Sequence, residues 1–278
     1  MNRSKFFLYG GFVAITLSAF IFMVSCNKKK TDPAPVTTTE DTGYATDHAM
    51  TEQSFDDVQS ISDRAALVPS GGSLNFKMSS CATVVHAGDS IVVNFGTVNC
   101  LCADGRYRRG KIIIHYSGGA YADSGSTHTI TFNNYFQNDN QITGTKTVTN
   151  MGHNSSGQPY FNITVAGSVI RSTGVTITAA WTRVRTWTAG YTTLGDLSDD
   201  TYSITGSGTI TRPAGTVTVT ISAPLIVALG CHWIEAGSVV YTLPSGLTRT
   251  LNYGTTPACD DNATVTLPSG ATIAITLP

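Results

Sequence analysis

Between positions 181 and 187 the chain reads Trp-Thr-Arg-Val-Arg-Thr-Trp. Side chains alternate along an extended strand, so Trp181, Arg183, Arg185 and Trp187 share one face while Thr182, Val184 and Thr186 share the other. Two indoles flanking two guanidiniums have the chemistry to stack sugar rings or to clasp an anionic glycan or lipid headgroup. The same four groups could equally form a cation-π ladder among themselves. A second basic cluster, Arg106, Arg108, Arg109 and Lys111, follows the turn Asp104-Gly105. Its plain role is a charged hairpin flank that discourages edge pairing; convergence of the two clusters would favour a binding surface.

Catalytic constellations are harder to assemble. A glycosidase needs two carboxylates across the scissile bond, yet Glu235 is the sole Glu of the region from residue 81 onward, and the Asp residues there stand mostly in turn contexts such as Asp104-Gly105 and Asp139-Asn140, where they serve nearby backbone. Asp260, Asp261 and Asn262 could attract calcium, but regular ligand spacing is lacking. No G-x-S-x-G elbow occurs. His48, His86, His115, His128, His153 and His232 are scattered without a metalloprotease-type spacing. No catalytic residue, metal set or cofactor is therefore assigned.

The elements that must carry these residues are strands. From Cys81 to Pro278 short alternating runs are split by Gly, Asn, Asp and Pro, the pattern of hairpins in series, and Thr, Ser and β-branched residues dominate as pleated strands require. Without helical crossovers, strands adjacent in sequence should pair antiparallel. Two stretches read as copies of one unit. Cys81, His86, Ala87-Gly88, Asn94-Phe95-Gly96-Thr97, Cys100 and Asp104-Gly105 are echoed by Cys231, His232, Ala236-Gly237, Asn252-Tyr253-Gly254-Thr255, Cys259 and Asp261-Asn262. The expected fold is all-β: an antiparallel meander of about a dozen strands, forming a sandwich or a partly closed barrel, because a flat sheet of that size would expose edges and one whole face.

The duplication pairs Cys81 with Cys100 and Cys231 with Cys259, each disulfide contributing about 3 kcal/mol on the loop-entropy model. Cys102 is left over. The rival, a thiolate site made of Cys100, Cys102 and His86 or His115, lacks the spacing of structural zinc sites.

At the other end Arg3 and Lys5 precede an apolar run from Phe6 to Val24, closed by Ser25-Cys26 and then Lys28 to Lys30. That order is an export signal; the alternative is an uncleaved transmembrane helix. A Cys directly after the small residue resembles the lipobox of bacterial lipoproteins, which implies cleavage before Cys26 and acylation of its sulfur. Each buried CH₂ of acyl chain contributes roughly 0.8 kcal/mol, enough for several chains to hold a soluble domain at a bilayer. Export also explains disulfides, which persist outside the cytoplasm. The chain divides into a signal peptide (1–25), a Lys-, Thr- and Pro-rich tether (26–46), a short amphipathic helix with lead-in that covers an end or edge of the sheet (47–80), and the β domain (81–278).

The run Asp104-Gly105-Arg106-Tyr107-Arg108-Arg109-Gly110-Lys111-Ile112, with Asn94-Phe95-Gly96-Thr97 and Asn252-Tyr253-Gly254-Thr255, resembles an uncharacterised group of Gram-negative outer-membrane lipoproteins built from repeated β-hairpins. The resemblance implies compartment and architecture from about Phe55 onward, and no activity. A net charge of -1 with 13% charged residues offers no field for nucleic acid. The expectation is a non-catalytic protein, lipid-anchored at the outer membrane, that binds an envelope protein or a glycan or plays a structural part. Two alternatives are a glycan-acting hydrolase, which would place Glu235 near an Asp in a pocket, and a lipid carrier, which would need an apolar cavity.

Overall fold

A computed structural model of the chain describes residues 38–68, 81–193 and 196–278. Cys26, the signal peptide and residues 26–37 of the expected tether lie outside the described residues, as do residues 69–80 of the lead-in. Among the described residues one helix, α1 (Thr38–Leu67), precedes fourteen strands. These are β1 (Thr83–Ala87), β2 (Ser90–Asn94), β3 (Cys100–Leu101), β4 (Tyr107–Ser117), β5 (Thr127–Gln137), β6 (Asn140–His153), β7 (Pro159–Ile170), β8 (Thr176–Ala189), β9 (Thr201–Arg212), β10 (Gly215–Ala228), β11 (Ala236–Thr242), β12 (Thr248–Asn252), β13 (Asn262–Thr266) and β14 (Thr272–Thr276).

All fourteen belong to one sheet, in which each strand pairs antiparallel with its neighbours in sequence from β1 to β14, except that β2 pairs β4 and β3 pairs β4 alone. The all-β antiparallel meander expected from the turn spacing is the observed fold. Among the described residues it is one sheet rather than a two-sheet sandwich, and it does not close, since β1 and β14 each have one partner. α1 packs against β2, β4, β8, β13 and β14. Strands that far apart in the order can touch one helix only if the sheet curls around it.

The alternation of each strand follows from that curl. On β8, Ile177, Ala179, Trp181, Arg183 and Arg185 are buried while Thr176, Thr178, Ala180, Thr182 and Val184 are exposed. Outward residues line up across strands: Thr129, Thr147, Thr164, Thr182, Ser207 and Thr220 are successive register partners on β5 to β10, giving an uncharged hydroxyl row. At Gly167 on β7 helix and sheet approach closely: a Cβ there would lie 2.6 Å from the Phe55 ring and 2.6 Å from the Thr143 carbonyl oxygen.

α1 differs from the short edge cover that composition predicts. It begins at Thr38, inside the stretch expected to be tether, and spans 30 residues. It is buried on several faces at once: Phe55, Val58, Ile61 and Ala65 sit in the apolar core, while Asp47, His48, Thr51, Glu52, Asp57 and Gln59 are buried as well. Tertiary contact rather than intrinsic propensity holds a Thr-, Asp- and Ser-bearing segment helical.

Candidate functional site

The described charges concentrate where helix and sheet meet. At 100° per residue Glu52, Asp56 and Asp63 fall within about 40° of one another around α1, and β6 and β8 present Lys146, Arg183 and Arg185 to that side. Arg183 donates from Nε to Glu52 Oε1 at 3.0 Å and from Nη2 to Oε2 at 2.8 Å, a two-point clasp whose planar geometry a lysine could not reproduce. Arg185 donates from Nη1 to Asp63 Oδ2 at 3.1 Å and lies 3.5 Å over the Tyr202 ring. Lys146 donates from Nζ to the Phe55 carbonyl at 2.8 Å, and its Nζ stands 4.0 Å from Asp56 Oδ1.

Other helix acids face other strands. Asp57 pairs with Arg106 and accepts from Gln137 Nε2 at 2.9 Å. Asp47 pairs with Arg171 and, at 3.4 Å, with Arg212.

Burial and pairing set the charge states. Burial pushes the Glu52 carboxyl up, but the Arg183 charge and hydrogen bonds from His48 and Arg183 outweigh it and hold Glu52 far below the usual carboxylate range. Asp56 has a weaker counter-charge in Lys146, so burial pushes it up to about 6. Burial likewise pulls Lys146 down to about 8 against the attraction of Asp56.

The residues singled out from sequence therefore occupy these places. Trp181, Arg183 and Arg185 point inward against α1, with Trp181 edge-on to His48 and Phe55 at centroid distances of 5.9 and 6.1 Å. Arg183 lies 4.7 Å from the Trp181 ring, so part of the cation-π ladder is present. Trp187 is half-buried, stacks on Tyr202 at 5.5 Å and donates from Nε1 to Asp200 Oδ1 at 3.2 Å. Arg108 is fully buried and holds Asp104 at two points, 2.7 and 2.6 Å. Arg106, besides Asp57, donates from Nη2 to His232 Nε2 at 3.2 Å and to its carbonyl at 3.3 Å. Arg183 and Arg185 of the first cluster and Arg106 of the second engage acids of α1, whereas Arg108 turns to Asp104 and Arg109 to Asp139.

Disulfides join Cys81 to Cys100 and Cys231 to Cys259, each with a Cα separation of 5.6 Å. Cys102 is a buried thiol, pushed up by burial. The carboxylate of Glu235 lies within 4.8 Å of the Cys231 and Cys259 sulfurs, but those sulfurs are bonded to each other and offer no thiolate to a metal. Burial raises the Glu235 carboxyl. Asp260 accepts from the Asn262 backbone N–H at 2.9 Å, and the Asp261 carbonyl accepts from the Leu277 N–H at 2.7 Å, the ordinary duties of a turn.

One cleft of about 250 Å³ opens between the β3–β4 turn and the β10–β11 connection, lined by Ala103, Asp104, Arg106, Leu229, Gly230, Cys231 and His232. Arg106 and Asp104 already hold protein partners there, so the cleft offers a surface rather than an uncommitted charge.

The acids of α1 are the functional partners that reading residue by residue missed. Their signal was the coincidence of an acid stripe at helical spacing with two Arg at strand spacing. Among the described residues no helix is long and apolar enough to cross a membrane. Comparison with protein-family models, with curated proteins and with solved structures finds no match to this chain.

Proposed function

We propose that this chain is a lipid-anchored protein of the outer membrane with a non-catalytic role, structural or in binding an envelope partner, held to the bilayer through acyl chains on Cys26. The observation that carries this reading is the engagement of the inward cations of the sheet by α1, the first described element after the proposed anchor. Eleven residues separate Cys26 from Thr38, at most about 40 Å of extended chain. A pull on the lipid would thus reach a helix fixed in the sheet by Arg183–Glu52, Arg185–Asp63 and Arg106–Asp57. Such seating suits a module that must stay folded beside a membrane. A lipid carrier would need the space that α1 fills, and Glu235 does not line the cleft, so neither alternative gains from the geometry.

The experiment is replacement of Cys26 by Ser in the full chain. The expected result is loss of palmitate labelling and of cleavage before position 26, with the β fold and both disulfides intact. Palmitate labelling that is unchanged by the replacement, or absent from the unaltered chain, would refute the lipid anchor.

A further inference from the structure

The two ends of the open sheet are chemically unlike. β14 pairs along one side with β13, from Asn262↔Thr276 through Thr264↔Ala274 to Thr266↔Thr272, and no described residue pairs along its other side. Among the described residues, that side therefore carries a row of backbone donors and acceptors open to another strand. Sheet edges are commonly guarded by charge, yet no Asp, Glu, Lys or Arg occurs between residues 262 and 278. Ile273 and Ile275, on the inward face, remain only partly buried, while Thr272, Ala274 and Thr276 are exposed on the outward face.

The strand is also self-complementary. Thr272-Ile273-Ala274-Ile275-Thr276 reads the same in both directions. Turned antiparallel on itself about Ala274, it sets Thr272 against Thr276 of the second copy, Ile273 against Ile275 and Ala274 against Ala274. Every pair is like with like in polarity, and the half-exposed isoleucines cover one another. β1 lacks this property, because the same operation about Val85 would set Val84 against His86, whose Nε2 already meets the Ala65 carbonyl at 3.1 Å.

We infer that β14 is an interface for a second copy of this chain, paired antiparallel across a two-fold axis at Ala274 so that two sheets continue into one. A two-fold pairing uses the same patch on both partners and closes the assembly at two copies. The inference is independent of the lipid anchor.

The register makes it testable in the full chain purified in detergent. Opposed positions of an antiparallel pair have Cα atoms about 4.5–5.5 Å apart, within the reach of a disulfide. Ala274→Cys should therefore give an oxidised dimer at twice the mass of the reduced chain on a non-reducing gel. Thr205→Cys, on the exposed face of central strand β9, should stay monomeric. Adding Thr272→Lys and Thr276→Lys to Ala274→Cys should suppress the crosslink, since like charges then face each other twice. Thr272→Glu with Thr276→Lys should restore it, since each new acid then faces a new base. Both positions are exposed, and the restored variant separates lost pairing from lost folding. Two results would overturn the inference: no crosslink at 274, or equal crosslinking in all backgrounds.

Discussion

Arg183 and Glu52 are a buried pair in which each group is tolerable only because of the other. Taking one charge from a buried pair leaves its partner desolvated and unmatched, at a cost of about 3–5 kcal/mol. Arg183→Met should lose stability on that scale in urea unfolding. Glu52→Leu together with Arg183→Met should lose less than either single change, because neither charge is left stranded. Strictly additive losses would show that the clasp contributes nothing as a pair.

The Asp56 and Lys146 pair should behave differently with pH. Asp56 is raised from 3.8 to about 6, so its contribution to stability is complete below the unfolded value and is lost as pH rises through 6. Lys146 is lowered from 10.5 to about 8, so stability recovers as pH rises from 8 towards 10.5. Between about 6 and 8 the folded protein carries both buried charges at their greatest cost. A variant with Asp56→Leu and Lys146→Met should accordingly gain about 1–4 kcal/mol over the wild type near pH 7. The gain should shrink on either side of that window, and a gain that does not depend on pH would contradict the assignment. Measuring the difference cancels the buried histidines and Asp200, itself raised to about 6 by burial.

At the scale of elements, α1 and β7 meet with no room to spare at Gly167. Gly167→Ala should cost about 1–3 kcal/mol as an overpacked contact against Phe55, and Phe55→Leu in the same chain should recover part of that loss. Failure of the second change to help would locate the strain at the Thr143 carbonyl instead. The strands were legible in the sequence because period-two alternation and Gly, Asn and Pro punctuation are local signals, and the cysteine pairing was legible because the two units repeat. The place of α1 was not. Its Thr, Asp and Ser content reads as tether and edge cover when composition alone is weighed, since the partners that make those groups burial-compatible, Lys146, Arg183 and Arg185, come about 80 residues or more later. The row Trp181, Arg183, Arg185, Trp187 was legible as a cationic and aromatic surface, and its alternation is as expected. What could not be read was which side the sheet would curl towards, and therefore that the anion meeting the row belongs to the same chain.

Among the described residues, ten charged side chains are buried while an uncharged hydroxyl row lies on the outward face of the sheet, an unusual division. That division bears on the order in which the chain is made. α1 emerges before any strand exists to receive it, and a core helix of ordinary composition would wait with a greasy stripe bare to water, inviting clumping. This one carries carboxylates, hydroxyls and amides among its apolar residues, so it can linger hydrated and dispersed while the hairpins behind it are completed one by one, each from neighbours close in sequence. Because the segment needs the contacts of the sheet to stay helical, it is expected to take up that form only as the hairpins close around it. Polarity at the centre of this protein is thus as much a provision for the unfinished chain as a property of the finished one.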